Sequence, residues 1–261
     1  MATTSPLESM TVGGARRLST YFRTAGKKRE HRGHRHRLCA VRVVMDNVIW
    51  FLTSNAGKLK EAQHHFAPLG YEVRSLQTES NAVVEPQAED LETVALAKLT
   101  QARQHAPNDS AMVLVEDAGL FIGALNGFPG VYSSFVFDTV GCHGILRLLD
   151  HLKSEDPVQN KRLRSSEFRA VACLWNGDEV LVGKGVCPGS IASESEGEDG
   201  FGFDPVFIPA DLDGEGAPVS PDVLGEISTH GATFASVGVD VKQAFSHRRR
   251  ALDDLLRQLP N

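Results

Sequence analysis

The sequence predicts an α/β fold built on a mixed sheet. Short apolar runs alternate with amphipathic stretches through the first half, and an Asn-Gly pair joins two β-like runs in the second. Of the 261 residues, 41% are hydrophobic, enough for a domain with a substantial core. No apolar run approaches the ~20 residues that a membrane span needs. The four cysteines, Cys39, Cys142, Cys173 and Cys187, form no CxxC pair. That argues against a zinc site or a disulfide framework and fits the reducing cytosol.

Charge divides the chain in two. Residues 1–44 hold ten of the 27 Lys+Arg but two of the 33 Asp+Glu, and include the run KKREHRGHRHR. They lack an apolar period and the apolar core of a signal peptide. The segment reads as a disordered or wrongly annotated leader, with Met45 the natural start. A transit peptide and a nucleic-acid-binding arm are the alternatives. His31, His34 and His36 within it read as solvated rather than as a metal cluster. The body, residues 45–261, keeps the other 17 basic and 31 acidic residues, a net −14. That balance argues against a nucleic-acid partner and suggests adaptation to high salt.

Within the body, residues 47–53 (NVIWFLT) read as a buried strand. Residues 57–66 read as a helix with Leu59, Ala62 and Phe66 on one face. Pro68 and Gly70 end it, 71–76 make a short strand, and 81–89 a loop. Residues 90–105 read as a helix capped by Asp90, with Leu91, Val94, Ala95 and Leu99 inward. Met112, Val113, Leu114 and Val115 open a buried strand over 112–117. It delivers Glu116 and Asp117 to its carboxyl end, where open α/β sheets bind ligands. Gly119, Gly123, Gly127, Pro129 and Gly130 are then expected to force tight turns. A helix follows over 141–152, and a hairpin over 167–175 and 179–187 turns at Asn176-Gly177. Residues 190–199 form an acidic loop, and GFGFDPVFIP has a strand core at 206–208. Residues 211–232 are polar, with glycines and prolines, and read as an inserted loop. A helix over 239–259, interrupted near Ser246, ends the chain.

Thr53, Ser54, Asn55, Ala56, Gly57 and Lys58 lie where a strand feeds a helix, with Glu61 one turn on. Backbone amides at a helix N-terminus, short polar side chains and a lysine make an anion cradle. It is not a GxxxxGK[ST] loop, and an ordinary cap beside an exposed lysine is the plainer reading. Taken alone, Glu116 and Asp117 read equally well as solvated acids at a loop rim.

Four stretches, TSNAGKLKE, EDAGLFIGALNGFPGVYSS, GFGFDPVF and SHRRRAL, occur in this order. They resemble the four signatures of the inosine triphosphate pyrophosphatase family across residues 49–259; residues 1–44 have no counterpart. The resemblance implies a two-lobed fold around an elongated mixed sheet flanked by helices, with the site in a cleft and a homodimer as the usual form. It implies Mg²⁺-dependent cleavage of inosine, deoxyinosine and xanthosine triphosphates to monophosphate and pyrophosphate. It assigns Thr53, Asn55 and Lys58 to the triphosphate and Lys98 to a phosphate contact. Glu116 and Asp117 match the acidic catalytic pair, with Asp117 at the catalytic position; Glu85 and Asp117 match the metal ligands. Phe201, Phe203 and Asp204 resemble the base pocket, and Lys242, Ser246, His247 and Arg248 the base-reading segment.

The chemistry agrees. A triphosphate needs Lys58, Lys98 and a divalent cation to balance its charge, and oxygen ligands with retained waters suit Mg²⁺. A 6-keto oxygen satisfies donors such as His247 and Arg248, whereas adenine's amino group meets donor with donor. The chain departs from the family at Ala118, where Ser or Thr is usual, at Glu196, where Arg is common, at Ser236, where Glu is frequent, and in the longer 211–232 loop. A septum-inhibitor-type pyrophosphatase acting on modified pyrimidines would share the cradle but leaves SHR after GFGFDP unexplained. A non-catalytic nucleotide-binding protein is opposed by Asp117, Glu116 and Lys58. The expected partner is a small-molecule nucleotide, with neither membrane nor nucleic acid, in the cytoplasm.

Overall fold

β1 (Val48–Leu52) buries Ile49 and Phe51 on one face, as a core strand should. The computed structural model describes residues 47–79 and 83–259, so the basic leader and its histidines lie outside the described residues, as do residues 81 and 82 of the expected loop. α1 (Ala56–Phe66), β2 (Glu72–Ser75) and α2 (Leu91–Ala102) follow, each within a few residues of its predicted span. Asp90 caps α2 by accepting the Thr93 N–H at 2.8 Å. β3 (Met112–Ile122) comes next, then α3 (Ser133–Thr139), α4 (Gly141–Leu148) and α5 (Pro157–Leu163). β4 (Ser165–Trp175) and β5 (Val180–Ile191) form the hairpin, and β6 (Phe207–Pro209), α6 (Val239–Phe245) and α7 (His247–Leu256) complete the order.

The six strands form one mixed sheet in the order β2-β1-β3-β4-β5-β6. β1 runs parallel to β2 and to β3, while β3 to β6 pair antiparallel. Leu114, Ala172 and Leu181 pack with α1 and α7 on one face; Val113, Val115 and Cys173 pack with α2 on the other. A third core gathers Leu120, Phe168, Phe207, Phe234 and Phe245 beyond the end of the acidic pair.

The structure corrects several expectations. β3 does not stop at Asp117: residues 118–122 stay extended because they pair with residues 166–170 of β4. Gly119 therefore makes no turn, and serves close approach instead. A Cβ there would lie 2.2 Å from Gly130 O. Turning starts at Gly123, where a 3₁₀ turn opens, and continues at Gly127 and Gly130, with φ of 88° and 58°. The single helix over 141–152 ends at Leu148, and α3 precedes it. α3 has seven residues, too few to carry a helical period. α5 also escaped the sequence reading, although Asp156 caps it and Pro157 sits at its first position. The 211–232 loop carries two bridges, from Leu212 to Pro218 and to Ile227.

α7 lies unusually close to β5. A Cβ at Gly185 would lie 2.0 Å from His247 O, and one at Gly183 2.1 Å from Ala251 O. These two glycines let the helix backbone settle onto the strand, and so carry His247 and Arg248 toward β3.

Candidate active site

Local hydrogen bonds build the first wall. Thr53 Oγ1 accepts the Asn55 N–H and Asn55 Oδ1 accepts the Lys58 N–H, both at 3.1 Å. Asn55 thereby caps α1, whose first turn has no acidic residue. No acidic side chain in that turn offsets the positive end of the helix dipole. A Cβ at Gly57 would lie 3.0 Å from the Phe201 ring, so its absence lets the two walls meet.

Glu116 and Asp117 are consecutive on β3, and the pleat sends them to opposite faces. Glu116 continues the Leu114 face, toward α1 and α7. Its Oε2 lies 2.8 Å from Lys58 Nζ and its Oε1 3.2 Å from Arg248 Nε. Burial alone would raise the Glu116 pKa, but Arg248 and Lys58 outweigh it and hold the group at about 2. Asp117 continues the Val113 and Val115 face, toward α2, with Oδ1 3.6 Å from Lys98 Nζ. Burial raises its pKa despite Lys98 and Lys58. Lys98 also holds Glu85 Oε1 at 2.6 Å. Burial works against its charge, but Asp117 and Glu85 prevail and raise its pKa.

Glu85 and Asp117 are thus two carboxylates brought to one lysine. Two acids completed by substrate phosphates are a donor set that suits Mg²⁺, which keeps several waters. Among the described residues no group of three or more His, Cys, Asp or Glu forms a protein-only metal cage.

The opposite wall comes from GFGFDP and α6–α7. Gly200 takes φ +81°, and a Cβ there would lie 2.2 Å from Asp204 Oδ2. That oxygen accepts the Phe201 N–H at 2.8 Å and the Lys242 ammonium at 2.7 Å. Burial raises the Asp204 pKa, partly offset by Lys242. Lys242 Nζ lies 4.7 Å from the Phe201 ring centre and the Arg248 guanidinium 5.4 Å from it. Burial, reinforced by Arg248, pushes the His247 pKa well below its ordinary value, so the imidazole is neutral.

All the expected site residues except Lys242 and Ser246 line a single cleft of about 410 Å³. Lys242 is not part of the lining but is paired with the lining residue Asp204 at 2.7 Å. Ser246 is buried and caps α7, accepting the Arg249 N–H at 3.2 Å. Phe203 lines the cleft but is 3% exposed and packs edge-on against Phe137, centroids 5.3 Å apart. A larger hollow of about 960 Å³ opens around Phe121 and Pro129, lined by none of these residues. Chemistry rather than size marks the cleft.

Two contributors escaped the sequence reading, and Glu61, noted one turn beyond the cradle, gains a distant partner. Glu61 Oε2 lies 2.5 Å from Arg248 Nη1, 187 positions away in sequence. Phe168 stacks on His247, centroids 4.9 Å apart and planes at 14°, and nothing in its strand context distinguishes it. Ser133 Oγ accepts the Leu120 N–H at 2.8 Å and donates to Gly130 O at 2.7 Å, bracing β3 just past the acids.

Residues 49–258 match the model of the Ham1 family. The chain is 38% identical over 211 residues to a dITP/XTP pyrophosphatase of Thermococcus kodakarensis, covering 80% of this chain and 95% of the relative. It is 39% identical over 207 residues to one of Methanopyrus kandleri, covering 78% and 92%. Among solved structures, a HAM1 protein from Coxiella burnetii superposes with a TM-score of 0.60 at 28% identity, covering 80% of this chain and 95% of that one. The Staphylococcus aureus Ham1 protein gives 0.58 at 27%, covering 79% and 94%.

Proposed function

Because the chain belongs to the Ham1 family, we propose that it hydrolyses the triphosphates of inosine, deoxyinosine and xanthosine to monophosphate and pyrophosphate, clearing non-standard purines from the nucleotide pool. One observation carries the reading: a single cleft is lined by Lys58 and Lys98 with two acids on one side and by Phe201, His247 and Arg248 on the other. That is a triphosphate site joined to a purine site.

Lys58, Lys98 and the amides of α1 bind the phosphates. Asp117 takes the proton of the attacking water, its carboxylate standing at the edge of the phosphate cradle beside Lys98. The water oxygen adds to phosphorus, the α–β bridge breaks and pyrophosphate leaves. Glu85 and Asp117 would hold Mg²⁺, which supplies Lewis-acid stabilisation of the phosphate oxygens. Phe201 stacks on the base, and Arg248 donates to its 6-oxygen.

The active form is a homodimer. Phe128, Tyr132, Phe135 and Val140 are 40%, 46%, 69% and 48% exposed around one apolar hollow, and a second copy would cover them. The protein works in the cytosol, in keeping with the free Cys142, Cys173 and Cys187. No helix among the described residues is long and apolar enough to cross a membrane.

The test is product analysis. Incubation with inosine triphosphate and Mg²⁺ should release pyrophosphate. Release of inorganic phosphate alone, or no release with Mg²⁺ present, refutes the proposal.

A further inference from the structure

Six charged side chains of alternating sign link the two ends of the cleft. Lys58 pairs with Glu116 at 2.8 Å, and Glu116 with Arg248 at 3.2 Å. Arg248 pairs with Glu61 at 2.5 Å, Glu61 faces Lys242 at 3.9 Å, and Lys242 meets Asp204 at 2.7 Å. The series begins at the phosphate cradle and ends beneath the Phe201 ring. Its links join α1, β3, the GFGFDP turn, α6 and α7, so it is wholly tertiary.

Glu116 is the link through which the base end must act on Lys58. Its side chain is 1% exposed, so no solvent intervenes. One oxygen faces the cation assigned to phosphate, the other the cation assigned to the base. The two oxygens are held by different cations, so a displacement of either cation acts on the one carboxylate. Lys58 Nζ also approaches the backbone oxygen of Glu116 at 3.4 Å, which fixes the lysine to this one residue.

Resting on the nucleotide reading above, we propose that Glu116 is a positioning residue that couples base recognition to phosphate positioning, its two oxygens setting the separation of Arg248 and Lys58. A base that engages Arg248 correctly then finds Lys58, and with it the triphosphate, in register with Asp117. A base that displaces Arg248 passes the displacement through Glu116 to Lys58. Selectivity among bases is therefore expressed partly in turnover and not in binding alone.

Glutamine at 116 cannot serve both cations, because its amide nitrogen is a donor facing a donor. Aspartate keeps the charge but retracts it by one methylene. The experiment compares kcat and KM for inosine and adenosine triphosphates, with Mg²⁺, in wild type, Glu116→Gln, Glu116→Asp, Arg248→Ala and the Glu116→Gln/Arg248→Ala double variant. The ratio of kcat/KM for inosine over adenosine triphosphate should fall about tenfold or more in Glu116→Gln, the scale of one lost charged contact. Most of that loss should lie in kcat for inosine triphosphate, and Arg248→Ala should lower the ratio little further in the double variant. Glu116→Asp, which keeps the buried charge balance, should lower the same ratio and carries the test if the glutamine variant does not fold. An unchanged ratio in either folded variant, with both substrates slowed alike, overturns the proposal, since a residue of purely chemical or structural role would behave so. Fully multiplicative effects in the double variant also overturn it. A wild-type protein that releases no pyrophosphate would instead defeat the underlying functional reading.

Discussion

Asn in place of Asp117 changes one charge and almost no volume, and the structure separates its two consequences. Burial already opposes ionised Asp117, so a neutral amide adds no desolvation cost. Lys98 is not orphaned, because Glu85 remains at 2.6 Å. Stability should change by less than about 1 kcal/mol, which moves Tm by no more than about 4 °C in a domain of this size. Turnover depends on the carboxylate as proton acceptor, and general-base contributions are ~10²–10⁴-fold, or about 3–5 kcal/mol of barrier. Glu116 cannot substitute: both its oxygens face cations and its pKa is held at about 2, too low for an effective base. The assay is pyrophosphate release from inosine triphosphate with Mg²⁺, resolving kcat from KM, alongside a thermal melt. Lys58→Ala is the contrast, expected to raise KM more than it lowers kcat. If Asp117→Asn keeps about a third or more of the wild-type kcat, well short of a general-base loss, the assignment is wrong and Glu85 becomes the candidate base.

Arg248→Ala should lower the preference for inosine over adenosine triphosphate by about tenfold or more, since each donor left unpaired against adenine costs about 1–3 kcal/mol; an unchanged kcat/KM ratio removes Arg248 from base reading. Glu116, depressed from an ordinary 4.5 to about 2, contributes stability that is complete above pH 4.5 and lost as pH falls through 2, a difference of about 3 kcal/mol. Urea unfolding across that range should therefore be less steeply pH-dependent in Glu116→Gln than in wild type, and equal slopes would refute the coupling. A chain beginning at Met45 should fold and turn over like the full chain, because residues 1–44 contribute no expected site residue; a large loss of Tm or rate on truncation counts against this. With a net −14 over residues 45–261, Tm should rise as KCl increases from dilute to molar and the screening length falls from ~10 Å at 0.1 M to ~3 Å at 1 M. A flat or falling Tm contradicts the high-salt reading.

What the sequence determined by itself is what depends on near neighbours. Asn55 caps α1 and Asp90 caps α2 through bonds that span three residues, so strand, cap and helix follow from local composition. Asn176 accepts the Asp178 and Glu179 N–H groups at 2.9 Å while Gly177 takes φ +100°, so the hairpin turn is equally local. The break before α7 is the Ser246 cap. The four ordered stretches then identified the family and most of the cleft-lining residues. Partnership between distant residues was decided only by the tertiary structure. Whether β3 ends at Asp117 or runs to Ile122 depends on whether β4 lies beside it, and no residue of β3 states that. The acidic pair reads as one unit in sequence, yet the pleat gives Asp117 to Lys98 on α2 and Glu116 to Lys58 and Arg248 on the opposite face. Glu61 and Arg248, far apart in the chain, meet only because Gly183 and Gly185 let α7 settle against β5. The reason is physical: a hydrogen bond within a turn is set by two or three dihedral angles, whereas an ion pair across the sheet is set by the packing of every element between its partners.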